Sequence, residues 1–295
     1  MTDKQAYSSD RDVQAFTHWI AEHALQLPIK LNFKSTRFVL GGLRKDVIGL
    51  PEAVANYAWK SKGTEFGNWA ETSALLRQFR ARLQAAIAAD DNKAAFCVSV
   101  DILEWGGDHN PAVGAQPFLR ALADEGELVA YLAGARSDFS LHTAQLSGKL
   151  GVRKMNSMLT KVHALASDDG LPIYDSRVAA AIASLVEIWR RAAGRATQPL
   201  PALLTFPATE SKRTVRHLFD AAEAPGQLLY GKLHEARTVR RWAEAKIRLG
   251  WLMQDILALQ PEMFGRAATT HIDRMHALEA SLFMVGYDVA CLKQD

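Results

Sequence analysis

Residues 150–178 read LGVRKMNSMLTKVHALASDDGLPIYDSRV, and the order of breaks within them decides how the chain folds. Gly151 marks a turn that can expose backbone N–H groups where a helix begins, and such groups bind phosphate. Arg153 and Lys154 stand at that expected helix start, where the dipole favours anions; two cations there make sense beside a bound anion. Lys154, Met158 and Lys161 then fall near one helix face, because seven residues make two turns. Asp168-Asp169-Gly170 is a loop, and Pro172 disfavours helical geometry in the residue before it. Asp175 follows this change of direction and opens a new helix, a position where aspartate often caps backbone N–H groups.

Working outward, the chain reads as helices joined by short polar loops. Residues 12–25 form an amphipathic helix with Val13, Phe16, Trp19, Ile20 and Ala24 on one side. Residues 31–50 are β-branched, aromatic and glycine-containing, so they are irregular or a short strand. Residues 72–89 are a helix rich in Ala, Leu, Arg and Gln. Residues 94–103 are a buried helix or a strand, which periodicity does not decide. The segment EWGGDHNP at 104–111 breaks regular structure. Helices are expected at 116–124 and 125–133, and residues 141–166 should hold a helix, the break at Gly151 and a second helix. From Asp175 or Ser176 a long helix runs to about Ala193, with Val178, Ile182, Leu185 and Trp189 on one face. Residues 194–211 carry three prolines and connect. From 212 to 292 the chain is helical again, most strongly at 235–259, where Val239, Trp242, Leu249, Leu252 and Ile256 form a stripe. The expected fold is mainly α, with at most a small β element.

Composition narrows the class. The 295 residues are 48% hydrophobic and 23% charged, a globular balance with room for one large domain or two packed lobes. No uncharged apolar run reaches membrane-spanning length, and no secretory signal opens the chain, so a cytoplasmic protein with no membrane role is expected. Cys97 and Cys291 are too few for a four-cysteine zinc site or an iron–sulfur cluster, and their apolar contexts suggest buried, reduced thiols. No metal and no cofactor is expected. The net charge is only +3, but basic residues cluster: Lys149 to Lys161, then Lys212, Arg213 and Arg216, then Arg237, Arg240, Arg241, Lys246 and Arg248. Such stripes on a near-neutral protein suit a polyanion bound on one face.

Glycine hairpin, lysine-bearing helix, proline loop and helix-opening aspartate together resemble the active-site order of the helix-hairpin-helix DNA glycosylases. The segment Pro172-Ile173-Tyr174-Asp175-Ser176-Arg177-Val178 is similar to the aspartate motif of the archaeal 8-oxoguanine glycosylase branch and of related bacterial proteins. The resemblance covers about 30 residues; the Trp105-Gly106-Gly107 loop and the helix from Trp242 to Trp251 add weaker similarity. Only one hairpin glycine is clear. The resemblance implies a two-lobed helical fold in a single unit 1–295, with a central lobe at about 112–193 and residues 1–111 and 194–295 packing as the second lobe.

It also implies an activity. A monomeric enzyme would flip a modified base out of double-stranded DNA and hydrolyse its N-glycosidic bond, leaving an abasic site. Asp175 would stabilise the positive charge that builds on the sugar. Lys161, or Lys154, would be the active-site lysine, attacking C1′ or holding a phosphate. Gly151, Arg153, Lys154 and Arg177 would contact DNA. Tyr174, Trp105 and Asp108 would line the base pocket, although a Trp in a glycine loop is commonly a packing anchor and Tyr174 equally suits the core. His163 reads as a packing residue. The substrate stays open between 8-oxoguanine and a hypermodified cytosine of phage DNA such as glucosylated hydroxymethylcytosine. A non-catalytic hairpin protein that only binds DNA is the alternative.

Overall fold

The computed structural model describes residues 2–148, 150–207, 218, 236–265 and 268–293. Two short helices open the chain, α1 (Asp3–Ser8) and α2 (Arg11–His23), and Asp10 caps α2 by accepting from the N–H groups of Asp12 and Val13. A hairpin follows, with β1 (Pro28–Phe33) antiparallel to β2 (Leu43–Ile48) in a register that sets Pro28 opposite Ile48 and Phe33 opposite Leu43. Alternate residues Ile29, Leu31 and Phe33 are buried, as a sheet with one solvated face requires. Next come α3 (Gly49–Ala55), α4 (Trp69–Ala88), α5 (Asn92–Trp105), α6 (Gln116–Asp124), α7 (Leu128–Asp138) and α8 (Leu159–Ala166). The chain continues through α9 (Ser176–Ala192), α10 (Ala236–Leu259) and α11 (His271–Val285). The protein is mainly α, with this one two-stranded sheet among the described residues.

The expected helices are largely found. The ambiguous stretch 94–103 is helical, as α5, whose N-terminus is capped by Asp91 accepting from the N–H of Ala94. The 31–50 stretch contributes most of a hairpin. On α9 the expected face is buried at Val178, Ile182, Leu185 and Trp189; Val178, Ile182 and Leu185 each contribute about 1.5–3 kcal/mol by leaving water. The stripe on α10 is buried too.

Three expectations change. Residues 141–150 do not form the first helix of a hairpin; the described ones make turns held by distant partners. Asp169 Oδ2 accepts from the N–H of Leu141 at 2.6 Å, and Asp3 Oδ2 from the N–H of Leu146 at 2.6 Å. Cys97 is exposed on α5, whereas Cys291 is buried. Packing also cuts across the expected lobes: α4 and α5 pack with α6–α8, while α9 packs with α2 and α11. Helices α4–α8 thus pack as one group, and α1–α3, the hairpin and α9–α11 as the other. Of the expected basic clusters, Lys149, Lys212, Arg213 and Arg216 lie outside the described residues. No helix among the described residues is long and apolar enough to cross a membrane.

Candidate active site

Helix α8 and the strand-like segment after it run along the seam between these two groups. Asn156 starts α8: its Oδ1 accepts from the N–H groups of Met158 and Leu159 at 2.9 and 2.8 Å. The segment 171–175 is then pinned from α10. Trp242 Nε1 donates to the carbonyl of Tyr174 at 3.0 Å, and Lys246 Nζ donates to the carbonyl of Pro172 at 2.5 Å and to the carbonyl and hydroxyl of Thr160, each at 3.0 Å. From α11, Glu279 Oε2 accepts from the N–H of Ile173 at 3.1 Å. These bonds satisfy backbone groups that a buried non-helical segment leaves open.

Asp175 emerges from this clamp as the N-cap of α9. Its Oδ1 accepts from the N–H groups of Arg177 and Val178 at 2.9 and 3.2 Å. Its Oδ2 faces Lys161 Nζ at 3.4 Å and Arg177 Nη1 at 3.9 Å. Lys161 also donates to the carbonyl of Ser157 at 2.8 Å. Asp175 is 3% exposed and Lys161 4%. Burial pushes the Asp175 carboxyl upward, but Lys161, Arg177 and the two backbone N–H groups outweigh it and hold the carboxyl below its ordinary value. Burial lowers Lys161, against the pull of Asp175 toward the charged form and with the help of Arg177. Asp175 favours the ammonium form of Lys161, and burial opposes it.

The structure joins the glycine loop to this pair. Gly106 packs on the lysine stem so closely that a Cβ there would stand 2.8 Å from Lys161 Cδ and 3.1 Å from Met158 Sδ. Trp105 is buried, and its carbonyl accepts from Trp59 Nε1 at 2.9 Å. Two surface clefts formed by described residues lie elsewhere; neither is lined by Asp175 or Lys161.

The other expected site residues are placed differently. The N–H of Gly151 donates to Asp138 Oδ2 at 2.5 Å, so a protein carboxylate takes the place expected for phosphate. Arg153 and Lys154 precede α8 by several residues and are not at a helix start. Arg153 pairs with Glu127 at 3.0 Å, and Lys154 donates to the carbonyl of Gly114 at 3.3 Å. Lys154 therefore shares no helix face with Lys161. Arg177 is enclosed: its guanidinium carbon lies 5.0, 4.8 and 4.4 Å from the rings of Trp59, Phe283 and Tyr287. Tyr174 is in the core, its hydroxyl donating to the carbonyl of Pro207 at 2.8 Å. Asp108 serves a turn, accepting from the N–H of Asn110 at 3.3 Å. His163 packs against Phe139 and bonds Tyr131 Oη at 3.1 Å through Nε2; burial, then Lys246, lowers it to about 3.

Lys246 is the residue that sequence reading misplaced, as part of a basic surface stripe. It is wholly buried, and burial holds it well below its ordinary value. The signal was available: 242, 246 and 249 share the buried face of α10 at spacings of four and three. Neighbouring Arg240 and Arg248 share one carboxylate, Glu244. Nothing local foretells the cage around Arg177, whose rings come from residues 59, 283 and 287.

Fold and site together define a mainly α protein with a buried lysine–aspartate pair at a helix N-terminus. Comparison with family models, with curated proteins and with solved structures gives no match for this chain. Among the described residues no group of three or more His, Cys, Asp or Glu side chains is placed to hold a metal.

Proposed function

We propose that the protein is a monofunctional DNA glycosylase built on a glycosylase-like two-lobed helical fold. It acts as a monomer in the cytoplasm on double-stranded DNA carrying a modified base. The supporting observation is the Asp175–Lys161 pair: a carboxylate held ionised inside the protein, fixed by two backbone N–H groups and one lysine. A preorganised buried charge stabilises an oxocarbenium-like sugar far better than an exposed one. The bond from C1′ to the base nitrogen breaks and its electron pair leaves with the base. Water adds its oxygen at C1′ and its proton ends on the departing base. Lys161 holds the carboxylate in place. Because both side chains are buried, the sugar reaches Oδ2 only when the cover over Lys161, which includes Gly106 and Met158, moves aside.

The substrates that suit this reading are 8-oxoguanine and glucosylated hydroxymethylcytosine, the latter in defence against phage DNA. Incubating the protein with duplexes carrying each modified base, and assaying free base by mass spectrometry, tests it. Release of a base that ceases in Asp175→Asn is the expected result; no release from any duplex would overturn the reading.

A further inference from the structure

The β1–β2 hairpin carries a charge pattern that the Asp175 site does not use. Between Lys30 and Lys45 stand five basic residues, Lys30, Lys34, Arg37, Arg44 and Lys45, and no acid. Lys34, Arg37 and Arg44 are exposed, as is Lys60 on the neighbouring segment. None of these four pairs with a carboxylate among the described residues. The two most exposed large apolar side chains among the described residues, Phe66 at 71% and Leu40 at 62%, belong to the same region. Both line one cleft of about 250 Å³, together with Phe38, Lys60 and Glu65.

This surface is tied to the buried pair by direct contacts. Phe38 stacks on Trp59 with ring centroids 3.8 Å apart. The N–H of Lys60 donates to the carbonyl of Phe38 at 2.7 Å. Arg37 Nη2 donates to the carbonyl of Gly107 at 2.9 Å, and the next residue back, Gly106, packs on Lys161. The hairpin tip thus stands beside the loop that covers the lysine.

We infer that the hairpin tip and the 58–67 segment form a nucleic-acid docking surface, on which Lys34, Arg44 and Lys60 hold backbone phosphates and Leu40 and Phe66 pack against unstacked bases. Unpaired cations give the sequence-independent, salt-sensitive part of such binding. Exposed apolar side chains among them supply the wedge or stacking platform that a solvated cationic face lacks. This rests on reading the Asp175 site as a glycosylase centre, since the strand held here would pass over that site.

The test is anisotropy titration of a fluorescent duplex across a range of salt concentrations, with thermal melts to check folding. For the variant K34A/R44A/K60A, which leaves the Arg37–Gly107 contact in place, affinity at low salt should fall on the order of tenfold or more and the salt slope by about two to three. For L40A/F66A the slope should stay unchanged, while the fluorescence rise of a 2-aminopurine placed at a mismatch should disappear. Wild-type affinity and slope in the triple variant would overturn the proposal, as would binding to anionic phospholipid vesicles but not to duplex. Base release assayed in parallel separates the two readings. Hairpin-dependent binding with no release from any modified duplex leaves this surface standing and removes the glycosylase assignment; release with no effect of the triple variant on binding does the reverse.

Discussion

Lys161 Nζ lies 3.4 Å from Asp175 Oδ2, both side chains are buried, and fourteen residues separate them in sequence. The pair joins α8 to the N-cap of α9, so the chemistry proposed for Asp175 and the start of α9 depend on the same carboxylate.

Asp175→Asn should keep the α9 cap, because an amide oxygen still accepts from the N–H groups of Arg177 and Val178. It leaves the buried Lys161 without its counter-charge, however, and should cost about 3–5 kcal/mol of stability, so excision is compared at a temperature where melts show the variant folded and binding DNA. Base excision should fall by about two orders of magnitude or more, the scale of losing one preorganised electrostatic group. Single-turnover kinetics with comparable DNA affinity would check this; undiminished excision would remove Asp175 from the chemistry.

A hydrolytic enzyme should leave intact abasic sites, cleaved only by added alkali, and borohydride should trap no protein–DNA adduct. Burial lowers Lys161 toward the neutral amine that attack on C1′ requires, so the trapping experiment is a stringent one. An adduct that is lost in Lys161→Ala would make Lys161 the nucleophile and replace water in the mechanism.

Gly106→Ala should impair excision through packing alone. Gly106 has ordinary right-handed helical geometry, φ −68° and ψ −8°, so alanine meets no backbone strain. Its methyl would stand 2.8 Å from Lys161 Cδ, and overpacking of this kind costs about 1–3 kcal/mol. A lowered melting temperature with slower excision is expected; wild-type values for both would mean the lysine stem yields freely.

The burial of His163 makes stability fall on acidification. Its folded value near 3 lies below the ordinary 6.5, so the unfolded chain binds the extra proton between those values. The contribution is complete above pH 6.5 and is lost progressively as pH falls toward 3. Denaturant unfolding should show a loss of about 2–3 kcal/mol from this group between pH 6.5 and 4.5. In His163→Leu that segment of the profile should be flatter, whatever the variant's absolute stability; an unchanged slope would assign the acid sensitivity elsewhere.

Tyr174→Phe should cost about 1 kcal/mol, the worth of its hydrogen bond to Pro207, and leave excision unchanged. A selective loss of excision with normal melting would return Tyr174 to the base pocket.

Period and capping chemistry made most of the fold legible. Phe16 and Ile20 on α2, and Val178, Ile182 and Leu185 on α9, occupy the buried faces that their spacing requires. Asp175 is legible as a helix N-cap because proline before and a helix after it are local signals. The hairpin expected around Gly151 failed because residues 141–150 are fixed by Asp169, Asp3 and, through the Leu141 carbonyl, Trp251, none of them a neighbour in sequence. The ring cage of Arg177, expected from sequence to contact DNA, is not legible for the same reason: its enclosing rings come from distant parts of the chain, residues 59, 283 and 287.

The packing of α1 and α2 against α10 sets the order in which a ribosome can complete this molecule. Lys4 Nζ donates to Gln254 Oε1 and Ser8 Oγ to Asp255 Oδ2, each at 2.7 Å and across about 250 residues. At roughly 5–20 residues per second, the first helices wait about 12–50 s for those partners to be synthesised. Helices α4–α8 pack chiefly on one another, so much of that half can condense on the emerging chain while the apolar faces of α1 and α2 stand uncovered, although Thr160 of α8 still waits for Lys246 of α10. The faces of α1 and α2 that pack on α10 are therefore surfaces that a nascent chain carries bare until α10 is made.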